Sequence, residues 1–185
     1  MTAMIRGMVA GAVGGLAGTL AMNYAQRAWT LAADGQPPES AAGKHDARDW
    51  QERSEHQNSN ELAAQAVADV TIERPLTRPE LSVAARIVHF GFGAAAGAIY
   101  GALVETGRVQ PSTGKELGTT VWMVADEVAM PLMGLSDSTL KRPMEMHMQS
   151  LAAHLVYGSV TERVRQYVGS LLPAPAPAAP PQSPN

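Results

Sequence analysis

Asp126 and Glu127 stand side by side in VWMVADEVAMP (Val121–Pro131), in the middle of an apolar run. His89, His147, His154 and Asn23 also sit inside apolar runs. Carboxylates and imidazoles together can exchange protons, bond helices to one another, or ligate a metal. A charge at the centre of a bilayer costs about 2.5 to 3.5 kcal/mol on insertion scales. If these runs cross a membrane, their polar residues are therefore expected to face one another and not lipid.

The elements that must position them are four apolar segments. The first covers about residues 5–30. Between Arg6 and Arg27 lie about 20 uncharged residues, enough for a helix to span the hydrocarbon core. Gly7, Gly11 and Gly15 recur every four residues within it. That many glycines weaken a soluble helix by about 1 kcal/mol each relative to alanine, whereas in a membrane the spacing lets two helix backbones approach closely. A cleaved signal peptide ending near Ala32-Ala33 is the rival reading, but the run is long for that role and more apolar segments follow. The second span covers about 81–104, with His89 and a second ladder at Gly93, Gly97 and Gly101. The third covers about 117–135 and holds the two acids. The fourth covers about 146–168, where His147, Ser150, His154, Gly158 and Thr161 form one small, polar stripe.

The fold expected is an all-α integral membrane bundle of four transmembrane helices, packed through glycine ladders, over residues 1–170. Residues 34–80 read as a polar connector with short helices at HDARDWQERSEHQ and NELAAQAVADV. Leu62, Ala66, Val67 and Val70 share one face of the second of these, and ERPLTRPE breaks the chain before the next span. Residues 171–185 form a Pro/Ala-rich tail whose composition favours disorder. IYGALVE (Ile99–Glu105) and VYGSVTE (Val156–Glu162) each end an even-numbered span, with a histidine about ten residues before the tyrosine. Gly18-Thr19 and Gly118-Thr119 match more weakly in the odd-numbered spans. The pattern is that of a duplicated helical hairpin, with coincidence as the alternative.

Composition excludes several classes. A net charge of −3 gives no basic footprint for nucleic acid. The absence of cysteine removes disulfides, thiolate metal sites and cysteine nucleophiles. Mean hydropathy is near zero, at −0.09, because the polar connector and the tail offset the apolar segments. No hydrolase elbow, zincin helix, P-loop or dinucleotide fingerprint is present, so no enzyme activity is expected.

Four stretches resemble the YagU-like family of bacterial inner-membrane proteins: the glycine-rich first helix, VAARIVHFGFGAAAGAIYG, VWMVADEVAMPLMGLS and HMQSLAAHLVYGSVTE. The likeness covers most of residues 4–168. It implies a multi-pass protein of the bacterial inner membrane and a link to acid resistance, and it brings no catalytic site with it.

Counting back along each span at about 1.5 Å per residue puts Asn23, His89, Asp126, Glu127 and His154 roughly 10–14 Å from one membrane face. The expectation is a polar layer inside the bundle. Adjacent residues diverge by about 100° on an α-helix, so Asp126 and Glu127 are expected to address two different neighbours. Pro131 cannot donate to the Glu127 carbonyl and is expected to kink the helix. Three roles suit such a layer. The plainest is inter-helix hydrogen bonding. The second is proton or ion handling by an oligomer, through coupled acid and histidine titration. The third is metal binding by His89, Asp126, Glu127, His147 and His154, which lack the paired Glu-x-x-His signature of di-iron bundles. MEMHM (Met144–Met148) has copper(I)-type donors, although methionine filling a helix end explains it as well. No metal and no cofactor is expected. The partners expected are the lipid bilayer and, through the glycine ladders, a second copy of the chain. Basic residues flank both faces: Arg6, Arg108, Lys115, Arg163 and Arg165 on one, Arg27, Arg86, Lys141 and Arg142 on the other. They give no clear orientation. An even number of spans puts both termini on one side, here taken as cytoplasmic.

Overall fold

The computed structural model describes residues 1–34, 59–129, 132 and 144–174. The helix expected at HDARDWQERSEHQ, the far end of the third span with Pro131, the SDSTLKRP turn and most of the proline tail lie outside the described residues. Within them the chain is helical, with no strand. In chain order the elements are α1 (Ala3–Asp34), α2 (Ser59–Thr71), α3 (Arg78–Glu105), α4 (Lys115–Val121) running into a π-helix (Trp122–Ala129), and α5 (Met144–Leu171).

α1 is the hub, lying along α3 on one side and α5 on the other, while α4 packs on α5. The glycines set these distances. A Cβ on Gly7, Gly11 or Gly15 would overlap the carbonyl oxygens of Gly101, Gly97 and Gly93, so the two antiparallel backbones touch along about two turns. Gly14 and Gly18 meet Thr161 on α5 in the same way. Gly158 is enclosed by Gly114 and Gly118 at the start of α4. Gly114 also sits at φ +80, which opens α4 with a turn that L side chains rarely adopt.

α2 ends in a turn at Glu73 (φ 52), and α3 restarts at Thr77. There the Thr77 amide donates to Glu80 Oε2 at 2.9 Å, closing a capping box behind Pro79. Arg74 binds the same carboxylate at 2.8 and 3.0 Å, and this bond holds the guanidinium above its usual range. The face assigned to α2 from its periodicity is not the one it buries. Ala64 and Ala68 are buried, while Val67 and Val70 point outward. The packing partner decides this: α2 lies against α3, and the small alanines permit the close approach.

The expected count of four spans also needs correction. Among the described residues two helices are long and apolar enough to cross a membrane, Ala3–Ala32 and Arg78–Glu105. α5 is long enough but carries Glu145, Glu162, Arg163 and Arg165. The described part of the third segment divides between α4 and the π-helix.

Small apolar residues and a few polar ones share the interior, while many large apolar side chains lie exposed. The largest fully buried side chains among the described residues are Glu162, Thr19 and Thr161. Ile5, Val9, Val13, Leu16 and Leu20 form an exposed stripe along α1, and Ile87 and Ile99 are 66% and 63% exposed on α3. A small apolar cluster of Met22, Tyr100, Leu117, Ala153 and Tyr157 sits between the helices.

Candidate functional site

The polar residues of α1, α3, the π-helix and α5 gather around an open cavity of about 1020 Å³. Asn23, His89, Asp126 and His154 all line it, with Thr19 and Tyr157 deeper along the same wall. His89 Nε2 lies 3.1 Å from Asn23 Oδ1, a bond that ties α3 to α1. With the amide oriented this way the oxygen accepts, so Nε2 carries the proton. Asp126 Oδ2 accepts from the Ser150 hydroxyl at 2.5 Å and lies 3.8 Å from His154 Nδ1. That nitrogen is 2.9 Å from the Ser150 carbonyl, which can only accept, so His154 holds its proton on Nδ1. Nε2 is then the basic nitrogen of His154. Tyr157 adds a buried bond, its hydroxyl donating to the Gly93 carbonyl at 2.7 Å.

Glu127 does not join this group. Its Oε1 lies 2.9 Å from His147 Nδ1, nearer the start of α5. The two acids take different partners. Both reach α5, at Ser150 and His147, one turn apart. A π-turn takes up one more residue than an α-turn, so adjacent side chains diverge by less than 100° and can share a partner helix. The polar stripe of α5 is divided as well. His147, Ser150, His154 and Gly158 meet the π-helix and α4, while Thr161 meets α1.

Among the described residues no group of three or more His, Asp or Glu side chains could hold a metal ion. Of the candidate metal donors, Glu127 pairs with His147 and Asp126 approaches His154. In the MEMHM stretch, Met144 and Met148 are exposed on the first turns of α5.

Sequence reasoning missed a second polar cluster at the opposite end of the bundle. Arg165 grips Glu162 with two bonds, Nε at 2.7 Å and Nη2 at 2.8 Å, and both residues are buried. Its Nη1 lies 3.6 Å from Glu105, which in turn accepts from Arg6 at 2.7 Å. Arg6 also donates to the Gly169 carbonyl at 2.6 Å, and Gln166 donates to Glu162. The Arg165 guanidinium lies 5.9 Å from the centre of the Tyr100 ring. Two cations and two anions thus join α1, α3 and α5. The available signal was charge order: Arg6 opens its apolar run while Glu105, Glu162 and Arg165 lie toward the close of theirs, so alternating helix direction brings opposite signs to one end.

The family model described as a protein of unknown function, DUF1440, matches residues 63–163, more than half of the chain. The chain belongs to the DUF1440 family. The DUF1440 match takes in His89, Asp126, Glu127, His147 and His154, and also Glu105 and Glu162. Asn23, Arg6 and the rest of α1 lie before it. No curated protein and no solved structure matches the chain.

Proposed function

We propose that this DUF1440 chain is a multi-pass protein of the bacterial inner membrane, in which α1 and α3 cross, and that it exchanges protons at the Asp126–His154–His89 centre in support of acid-stress tolerance. The membrane part is carried by one observation. Among the described residues the largest fully buried side chains are polar, while many leucines, isoleucines and valines of α1 and α3 lie exposed. Water-soluble proteins bury the latter, whereas a bilayer solvates them and drives the polar groups inward. Glu162 and Arg165 neutralise each other inside the bundle, so α5 packs on α1 without presenting that pair outward. The acid-stress role follows from the likeness to the YagU-like family. The proton-handling role is supported by an acid, an imidazole with a free basic nitrogen and a second imidazole on one open cavity. In this reading the protein is not an enzyme. Any pairing of two copies uses surfaces other than the glycine ladders, whose faces are occupied within the chain.

Two measurements test it. Membranes washed in alkaline carbonate should keep the protein in the pellet, and release into the supernatant overturns the membrane reading. Liposomes carrying the wild type should pass protons down an imposed pH gradient. Asp126→Asn should lose most of that flux. Equal flux in both, or none in the wild type, removes the proton role. A second reading, inter-helix bonding alone, is favoured for Glu127 by its direct contact with His147.

A further inference from the structure

The mouth of the cavity carries an arrangement that the proton reading does not use. Arg27 follows Asn23 by one turn on α1, and Arg86 precedes His89 by about one turn on α3. The two helices run antiparallel, and the Asn23–His89 bond fixes their register. Arg27 and Arg86 therefore stand at one level on neighbouring helices, about one turn outside that bond. Both line the cavity and both are exposed. Neither has an acceptor among the described residues. The lining beside them mixes polar Gln26, Thr30 and Ser82 with apolar Leu20, Tyr24 and Phe92, the last three open to the surroundings.

We propose that this mouth binds an anionic phospholipid, its phosphate clamped between Arg27 and Arg86 and an acyl chain lying on Leu20 and Phe92. The inference rests on the membrane reading, because it places the arginines at headgroup level. Guanidinium forks match phosphate oxygens with paired N–H donors. Basic pockets between membrane helices attract anionic headgroups. A free phosphate would use the arginines and leave the apolar wall idle, so the lipid satisfies both halves of the site. The carboxylates facing the cavity are Glu61, on α2 at the mouth, and Asp126, deeper and held by Ser150. Glu61 opposes an anion there, which gives the proposal a second handle of opposite sign.

The experiment is native mass spectrometry of the full chain in detergent, with equal amounts of phosphatidylglycerol and phosphatidylcholine of matched chains. The wild type should retain phosphatidylglycerol about tenfold over phosphatidylcholine. Arg27→Gln/Arg86→Gln should abolish that preference, each single substitution should reduce it about threefold, and Glu61→Gln should raise it. Arg27→Lys/Arg86→Lys keeps the charge and should retain part of it. Far-UV helicity of each variant checks folding, and the single variants and Glu61→Gln carry the test if the double variant is unfolded. Equal retention of both lipids by the wild type overturns the proposal, as does a preference unchanged in the arginine variants. Displacement of phosphatidylglycerol by inorganic phosphate at the same concentration assigns the mouth to a free anion and overturns the lipid. Carbonate extraction reports the membrane reading separately, so its failure can be told from the failure of this site.

Discussion

At the level of single residues, the chain hides its charges in pairs. Glu162 and Arg165 are almost fully buried and bonded through two nitrogens. Removing one partner of a buried pair leaves an uncompensated charge and costs about 3 to 5 kcal/mol, whereas an apolar pair of similar volume can be neutral. Glu162→Gln and Arg165→Met should therefore each lower the melting temperature in detergent sharply, while Glu162→Met/Arg165→Met should recover most of the loss. Additive effects of the two single changes would show that the pair does not act as a unit. The residues of the cavity were legible in sequence because a polar side chain in an apolar run has to be placed inside. Asn23, His89, Asp126 and His154 each meet that description. Glu162 and Arg165 were harder to see, since a charge near the end of a run reads equally well as a solvated flank. Only the folded chain brings Glu105 and Arg6 beside them.

At the level of elements, close backbone contact is the organising device. Gly11 and Gly97 have no room for a side chain, since a Cβ on either would meet backbone. Gly91, on the same helix as Gly97, would meet nothing within 4 Å. Gly97→Leu should separate α3 from α1 and abolish the Asn23–His89 bond, which can be followed by the histidine ring resonances. Gly91→Leu should leave both intact. A folded Gly97→Leu protein with an unshifted His89 would mean that the α1–α3 contact is looser than the geometry requires. Periodicity located α1, α3 and α5 to within a few residues because long apolar runs allow few alternatives. It misassigned α2, a 13-residue helix in which alanine and valine score as equally apolar. Packing distinguishes them, and α3 accepts Ala64 and Ala68 while turning Val67 and Val70 away. The π-helix was visible in sequence only as an irregularity expected around Pro131, because an inserted residue leaves no compositional mark.

At the level of the whole molecule, an apolar exterior and buried charges at one end of the bundle make the fold dependent on its solvent. Only α1 and α3 are apolar enough to cross a membrane by themselves among the described residues. α5 buries its polarity against them, so its membrane affinity belongs to the assembled bundle more than to its own sequence. The Arg6 contact with Gly169 joins residues 163 positions apart. A ribosome adding about 5 to 20 residues per second needs on the order of ten to thirty seconds to deliver the second partner after the first. For that interval α1 must wait with the groove at Gly14 and Gly18 unfilled and Arg6 short of one acceptor. α5 thus completes the bundle that α1 begins. A chain ending before Met144 should insert and yet be cleared quickly, its half-life in pulse-chase labelling several-fold shorter than that of the full protein, and a helix corresponding to α5 supplied as a separate polypeptide should extend it. The contact that closes the bundle doubles as a check that α5 has been delivered.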